Sequence, residues 1–514
     1  MMKKTTLSMC VSLLLCGLLL FACTPQAAAK PANTAEDGEA FVYPEGETDF
    51  AALRTPGSQE AAYTYQSFFL PAQDNGTQPY VGDTMPYYED GTYYIYYLKE
   101  GGDSYNHSVY LTTTTDFVTY TEQDAVVLEA SRSGGQDGWI GTGSVVKVKD
   151  VYYFFYTGHA GSDSYEYKEK IMVAKSDNLT SFEKVADWEI VPPTDLGQKN
   201  DFRDPQAYYD AATDTITLTV TASQSNKARI LKYSLSGDLS NVTYDGIIFT
   251  DPETFWNLEC SDTFTIGGKD YLTYSGQDDT LWYAVSDTPY GPYSDPVRLD
   301  GKLFYAAKHA DNGTDTYLIG WARRSESVSS TQEVSGWAGN LAVQKVVQNA
   351  DGTLALAPVE SILAQYKNRR ELAFDGMSVS ISSGSAYSYT ELCTAYESFV
   401  LSGTIRFEKN GTFGLAFDYN GRADKYKTIT LDPAADKLQL SFNEGDTLIT
   451  ETAAPIEPNT DYTFTYVQEG SVGIFCLDGI ATLTVRLYGV SGRPVRLFVE
   501  NNTVTISNLK QYTR

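Results

Sequence analysis

Three acidic motifs carry the most informative chemistry in this chain: Gly82-Asp83-Thr84-Met85-Pro86, Arg203-Asp204-Pro205 and Glu259-Cys260. Each opens a similar stretch of sequence, so a carboxylate recurs at what reads as one place in successive structural units. Carboxylates gathered in one pocket suit the cleavage of glycosidic bonds, where one group attacks or stabilises a cation-like centre and another delivers a proton. Composition alone leaves the alternative of three unrelated residues among 66 acidic ones.

The remaining chemistry-bearing residues narrow the field. His107, His159 and His309 are the only histidines and stand in no ligand pattern, which argues against a zinc or histidine-triad enzyme. No metal or cofactor is expected. A formal net charge of −28 speaks against nucleic acid or an anionic membrane surface as partner and for a neutral substrate. The 39 tyrosines fit a β-rich carbohydrate binder, although strand propensity alone accounts for such an excess.

The elements that must position these carboxylates are strands. Tyr93–Tyr97 follows an Asp90-Gly91 turn, and Val151–Tyr156 follows Lys149-Asp150. Thr215–Val220 follows a turn at Asp210 to Asp214, Tyr271–Tyr274 follows Gly267-Gly268, and Tyr317–Trp321 follows Asn312-Gly313. These are hairpin signals. Two hairpins are followed by a further strand and an Asp leading to an aromatic, Asp116 to Tyr120 and Asp177 to Phe182. Five such units lie between about 80 and 345, spaced by roughly 45–60 residues, the range of propeller blades. Asp83, Asp204 and Glu259 fall at or before the first strand of their blades, and in a closed propeller those positions converge at one end of the axis. The expectation is an all-β chain, a five-bladed β-propeller over residues 65–358 followed by a C-terminal β-sandwich over 371–514. An all-β sandwich or irregular barrel is the alternative to the propeller. Residues 359–370 read as a linker, with Glu360 to Arg370 the one segment of helical character.

The N-terminus reads as a targeting segment. Lys3 and Lys4 precede a mostly apolar run from Leu7 to Phe21, shorter than the about 20 residues of a membrane span. The run ends in Leu20-Phe21-Ala22-Cys23, the pattern of a bacterial lipobox. Residues 1–22 are expected to leave as a lipoprotein signal peptide, with Cys23 lipidated and residues 23–64 a small, polar tether. An ordinary secretory signal is the alternative. Cys260, Cys393 and Cys476 would then be the only cysteines left, too few for a disulfide framework.

Asp83, Arg203-Asp204-Pro205 and Glu259-Cys260, in this order on a five-unit β repeat, resemble glycoside hydrolase family 32, the invertase, levanase and inulinase family. The resemblance runs from about residue 65 to the end. It implies that Asp83 is the nucleophile, Glu259 the general acid/base, and Asp204 the group that holds sugar hydroxyls and stabilises the transition state. Asp83 should then stay ionised, while Glu259 should hold a proton near neutral pH. Arg203 is positioned to orient Asp204. The segment Trp139 to Ser144 resembles the second-blade stretch that supplies a hydrophobic wall and a polar contact, and Trp256 is a further wall candidate. Plain core packing is the alternative for both tryptophans.

The departures from the family pattern are local. Gly82 stands where the family has Asn before the nucleophile. Leu98 replaces a glutamine, and Leu303 and Lys308 stand where an acidic residue and a glutamine are usual, which leaves Lys308 as a candidate substrate contact. The resemblance implies a retaining β-fructosidase acting on fructans or sucrose, held outside the cell by its lipid anchor. An arabinosidase or xylosidase on a related five-bladed fold, and a non-catalytic glycan-binding lipoprotein, are the competing functions.

Overall fold

Paired strands joined by two-residue turns are the unit from which the fold is built. Asp90 and Gly91 (φ 49° and 83°) lie between the directly paired Glu89 and Thr92, and Gly267 and Gly268 (φ 56° and 79°) between Ile266 and Lys269. Positive φ at both central residues matches the twist of the flanking strands, and Gly or Asp adopts it at small steric cost. In this computed structural model the described residues are 63–514, except 102–106, 132–133, 163, 253–254, 325–336, 420–421 and 443–446. The expected signal peptide, Cys23 and nearly all of the tether therefore lie outside the described residues.

The first blade comprises β1 (Tyr80–Glu89), β2 (Thr92–Glu100), β3 (Val109–Thr114) and β4 (Tyr120–Glu122). The second comprises β5 (Trp139–Val148), β6 (Val151–His159), β7 (Glu169–Ser176) and β8 (Glu183–Ile190). In the third are β9 (Phe202–Asp210), β10 (Thr215–Gln224), β11 (Lys227–Ser236) and β12 (Val242–Thr250). The fourth holds β13 (Leu258–Ile266), β14 (Lys269–Gly276), β15 (Leu281–Ser286) and β16 (Val297–Asp300). The fifth holds β17 (Phe304–Asp311), β18 (Thr316–Arg323), β19 (Gly339–Gln348) and β20 (Leu354–Ala357). Within each blade the strands pair antiparallel in chain order. The first strands neighbour one another in a closed ring, with β17 back against β1, and a bridge between Val81 and Gly339 links the last blade to the first. The fold is a five-bladed β-propeller followed by a β-sandwich.

A second repeat marks the third-to-fourth strand connection. Asp116 Oδ1 accepts the N–H groups of Val118 and Thr119, Asn178 Oδ1 those of Thr180 and Ser181, and Asp238 Oδ1 that of Ser240. The residue after each, Phe117, Leu179 or Leu239, is buried in the left-handed region, at φ 57°, 64° and 63°. In the second blade the repeating residue is therefore Asn178, one position beyond the expected Asp177.

Two antiparallel sheets from Asn368 to Thr513 form the sandwich, their inner faces meeting in a core that includes Phe399, Leu401, Phe417, Leu440, Phe464 and Val495. Of the segment expected as a linker, Glu360–Leu363 is one turn of helix, but Asn368–Arg370 already pairs with the final strand of the sandwich. At the other end, the backbone N–H groups of Gln66 and Ser67 donate to the buried Glu469 of the sandwich, so these residues join the two units. Arg486 seals the junction. It is fully buried and donates to the carbonyls of Ala322 and Arg323 and to Asn340 Oδ1 of the propeller, as well as to Ser471 Oγ.

Candidate active site

Each innermost strand breaks its ladder at the same place. The pairing skips two residues between Val81 and Thr84, Ile140 and Gly143, Arg203 and Gln206, Glu259 and Asp262, and Tyr305 and Lys308. These are five β-bulges, each setting two residues of the innermost strand opposite one of the second strand. In the last three blades the first bulged residue is left-handed: Asp204 at φ 57°, Cys260 at 52° and Ala306 at 52°. The N–H groups freed from the ladder find side-chain acceptors instead, Asp204 on Thr157 Oγ1 (2.8 Å), Cys260 on Asp204 Oδ2 (2.7 Å) and Ala306 on Ser275 Oγ (2.9 Å).

This register corrects one expectation. The three carboxylates do not occupy one equivalent position. Glu259 immediately precedes its bulge, Asp204 is the first bulged residue and Asp83 the second. All three nevertheless line one cavity of about 480 Å³, together with Arg203, Trp139 and Leu98.

Asp83 is held from two neighbouring blades. Thr142 Oγ1 donates to its Oδ2 (2.8 Å) and the indole N–H of Trp321 to its Oδ1 (3.3 Å). Burial and the Glu259 carboxylate push its pKa up, against the expectation of a readily ionised group, while Thr142, Trp321 and His107 pull it back. Asp204 is pushed up to about 7, first by burial and further by Asp83 and Glu259, against Arg203 and the Cys260 N–H. Glu259 is a third exposed, and its Oε2 accepts the Tyr305 hydroxyl at 2.5 Å.

Arg203 is the cation of this cluster. Its guanidinium lies 2.9 Å from Asp201, 3.5 Å from Glu169 and 4.0 Å from Glu259. Burial opposes its charge, but Glu169, Asp204, Glu259 and Asp201 together raise its pKa. Glu169 is itself buried, accepting the Phe202 N–H (2.8 Å) and facing His159 Nδ1 (3.2 Å), and these partners with Arg203 keep it below its usual value despite burial. Glu169 thereby ties the cavity floor to the start of β9.

Three expected contacts fall outside the cavity lining. Ser144 is buried two residues beyond its bulge, and its Oγ accepts the Ala207 N–H (2.9 Å), bracing β5 against β9. Lys308 follows the bulge of β17 and is buried below the carboxylates, where its Nζ donates to the Gly143 carbonyl (2.9 Å). Burial lowers its pKa, although Asp262, Cys260, Asp204 and Asp83 oppose this. Trp256 stands exposed in the loop before β13, and it is the adjacent Phe255 that packs, edge-on against Trp282. Thr142, Trp321, Tyr305 and Glu169 are the contributors that motif reading passed over. Thr142 lies in the bulge of its strand and Tyr305 immediately before one, an irregularity that no residue pattern announces. Among the described residues no cluster of His, Cys, Asp and Glu is arranged to hold a metal ion.

The sequence profile described as "Glycosyl hydrolases family 32 N-terminal domain" matches residues 83–358. Sucrose-6-phosphate hydrolase of Staphylococcus xylosus is 25% identical over 376 residues, covering 68% of this chain and 72% of its own. Among solved structures, exo-inulinase from Aspergillus awamori superposes with a TM-score of 0.69 at 16% identity, covering 88% of this chain and 99% of its own. Fructan 1-exohydrolase IIa from Cichorium intybus, in complex with 1-kestose, superposes at 0.67 and 16% identity, covering 88% and 97%.

Proposed function

Because the chain belongs to glycosyl hydrolase family 32, we propose that it is a retaining glycosidase that releases terminal β-fructosyl units from fructans or sucrose. The observation that carries this reading is the convergence of Asp83, Asp204 and Glu259 on one cavity, each with a different set of partners. In this reading Asp83 Oδ attacks the anomeric carbon, and the Thr142 hydroxyl and Trp321 indole steer it and hold its charge. Glu259, the most exposed of the three, protonates the departing oxygen and then takes a proton from the incoming water. Asp204, fixed by the Cys260 N–H, accepts hydroxyl hydrogens of the sugar and balances the positive charge that develops on the ring.

An unphosphorylated substrate is favoured. The cavity is lined by four carboxylates, Asp83, Glu169, Asp204 and Glu259, against two long cationic side chains, Lys168 and Arg203. Arg203 is already engaged by carboxylates, which leaves it less available to a sugar phosphate.

Asp83→Ala should abolish turnover, because no covalent intermediate forms. Glu259→Ala should lose activity on sucrose and fructans but retain part of it on aryl fructosides, whose leaving groups need no proton. Azide should rescue one variant, and the configuration of the fructosyl azide identifies which carboxylate was removed. Near-normal fructan hydrolysis by Glu259→Ala would remove it from the acid role. We further propose attachment to the outer membrane surface of the cell through Cys23. A Cys23→Ala protein should then fail to be processed and anchored, and wild-type protein recovered mainly free in the medium would refute this.

A further inference from the structure

The cavity lining is mixed. The carboxylates and Arg203 are charged, while Leu98, His107, Trp139 and Trp337 bring apolar and aromatic surface. Gly82, the residue immediately before Asp83, makes room for Trp337. A Cβ at residue 82 would overlap the six-membered ring of the Trp337 indole, so the tryptophan occupies the space that a side chain beside the nucleophile would otherwise fill. The position that the sequence marks as departing from its family pattern is therefore filled by a ring from a remote segment.

The ring is held by its neighbours. His107 stacks on it with centroids 4.6 Å apart and planes 14° off parallel, and meets Trp139 edge-on at 5.1 Å. Arg324 donates to the Trp337 carbonyl (2.9 Å) and lies 3.9 Å from Glu100, which in turn lies 3.8 Å from His107. A wall fixed this way is preorganised, and Leu98 beside it offers a sugar no hydrogen bond. Sugars have hydroxyl edges and apolar C–H faces, which suits a cavity lined by both polar and aromatic groups.

We propose that Trp337 is a substrate-binding residue that presents an aromatic wall to the apolar C–H face of the sugar ring bound next to Asp83, in the space that a side chain at residue 82 would fill. The inference rests on the β-fructosidase reading above.

The test is a double-mutant cycle of Gly82→Ala, Trp337→Ala and the pair, with Trp337→Phe as the variant that keeps a ring. kcat and KM are measured on sucrose, and thermal melting verifies folding. Trp337→Ala should raise KM for sucrose by about tenfold and leave kcat within about threefold, because stacking serves ground and transition states alike. Trp337→Phe should keep KM within about threefold of wild type. Gly82→Ala should act as Trp337→Ala does by displacing the indole, and the pair should be no worse than either alone. Additive losses, or an unchanged KM for sucrose in a folded Trp337→Ala protein, would overturn the proposal. A wild-type protein that cleaves neither sucrose, fructans nor aryl fructosides would instead overturn the β-fructosidase reading itself.

Discussion

Asp204→Asn should make the protein inactive and, above neutral pH, more stable. Asp204 is buried and its pKa lies near 7, against 3.8 for an ordinary Asp. The folded chain therefore holds a proton on this group between about pH 4 and 7 that the unfolded chain has released. By linkage, stability falls as pH rises through that window, is fully present below the unfolded value and is lost once pH passes the folded one. The gap is roughly three pH units, and at about 1.36 kcal/mol per unit it amounts to roughly 4 kcal/mol of destabilisation at pH 8. Asparagine stands in for the protonated acid: its carbonyl oxygen can still accept the Cys260 N–H, now made at 2.7 Å, and it carries no charge to desolvate.

The assay is thermal unfolding of both proteins at pH 4, 6 and 8. The two should melt together at pH 4, and the variant should melt several degrees higher at pH 8, with the difference growing through pH 6. In the same preparations kcat/KM on sucrose should fall by about a thousandfold or more, since an amide neither balances the developing cation nor accepts as strongly from sugar hydroxyls. A pH-independent difference, or an Asn variant less stable at pH 8, would refute the reasoning, because Asp204 would then be ionised at little cost.

Three further outcomes are expected. Thr142→Val deletes a hydroxyl that donates to Asp83 while keeping the side chain's shape, and should lower kcat/KM by about tenfold or more and move the acid limb of the pH–rate profile upward. Tyr305→Phe removes the hydroxyl donated to Glu259, and should depress turnover of sucrose more than that of aryl fructosides if Tyr305 serves the proton-transfer residue. Arg486→Met leaves the Ala322 and Arg323 carbonyls and Asn340 without their donor at the junction, and should cost at least about 2 kcal/mol in chemical denaturation while leaving KM for sucrose within about twofold.

Much of this architecture was legible in the sequence because its signals are local. Asp90-Gly91 and Gly267-Gly268 can hardly be anything but tight turns between tyrosine-rich strands, and five such hairpins at blade spacing imply the propeller. What did not read out was side-chain direction. Along a strand a shift of one residue moves a side chain to the opposite face. Ser144 and Lys308 were candidates through the family resemblance, and the structure turns Ser144 toward β9 and Lys308 toward the Gly143 carbonyl. Asp177 was misread in place of Asn178 for a related reason: the repeat there is defined by which side chain caps a turn, and either residue type suits that task. Trp337 was beyond reach, since its contact with Gly82 joins the two ends of the propeller and leaves no trace in local pattern.

The offset of the three carboxylates follows from the same bulges. On a regular strand successive side chains point to opposite faces, so neighbouring positions cannot both line a central cavity. Here Ile140, Gly141 and Thr142 all line it, as do both Arg203 and Asp204. The two unpaired residues break the alternation, so positions just before and within a bulge can reach the cavity. The bulge thereby offers more than one depth and approach for a functional group. Glu259 uses the position before its bulge and keeps a third of its surface open, as a group exchanging protons with water requires. Asp204 uses the first bulged position, where the left-handed backbone aims it at the freed Cys260 N–H and burial raises its pKa. Asp83 uses the second, between Thr142 and Trp321. Three groups with the same chemistry are thus held in three different environments by one repeated irregularity, and a closed ring of regular strands would offer them only one.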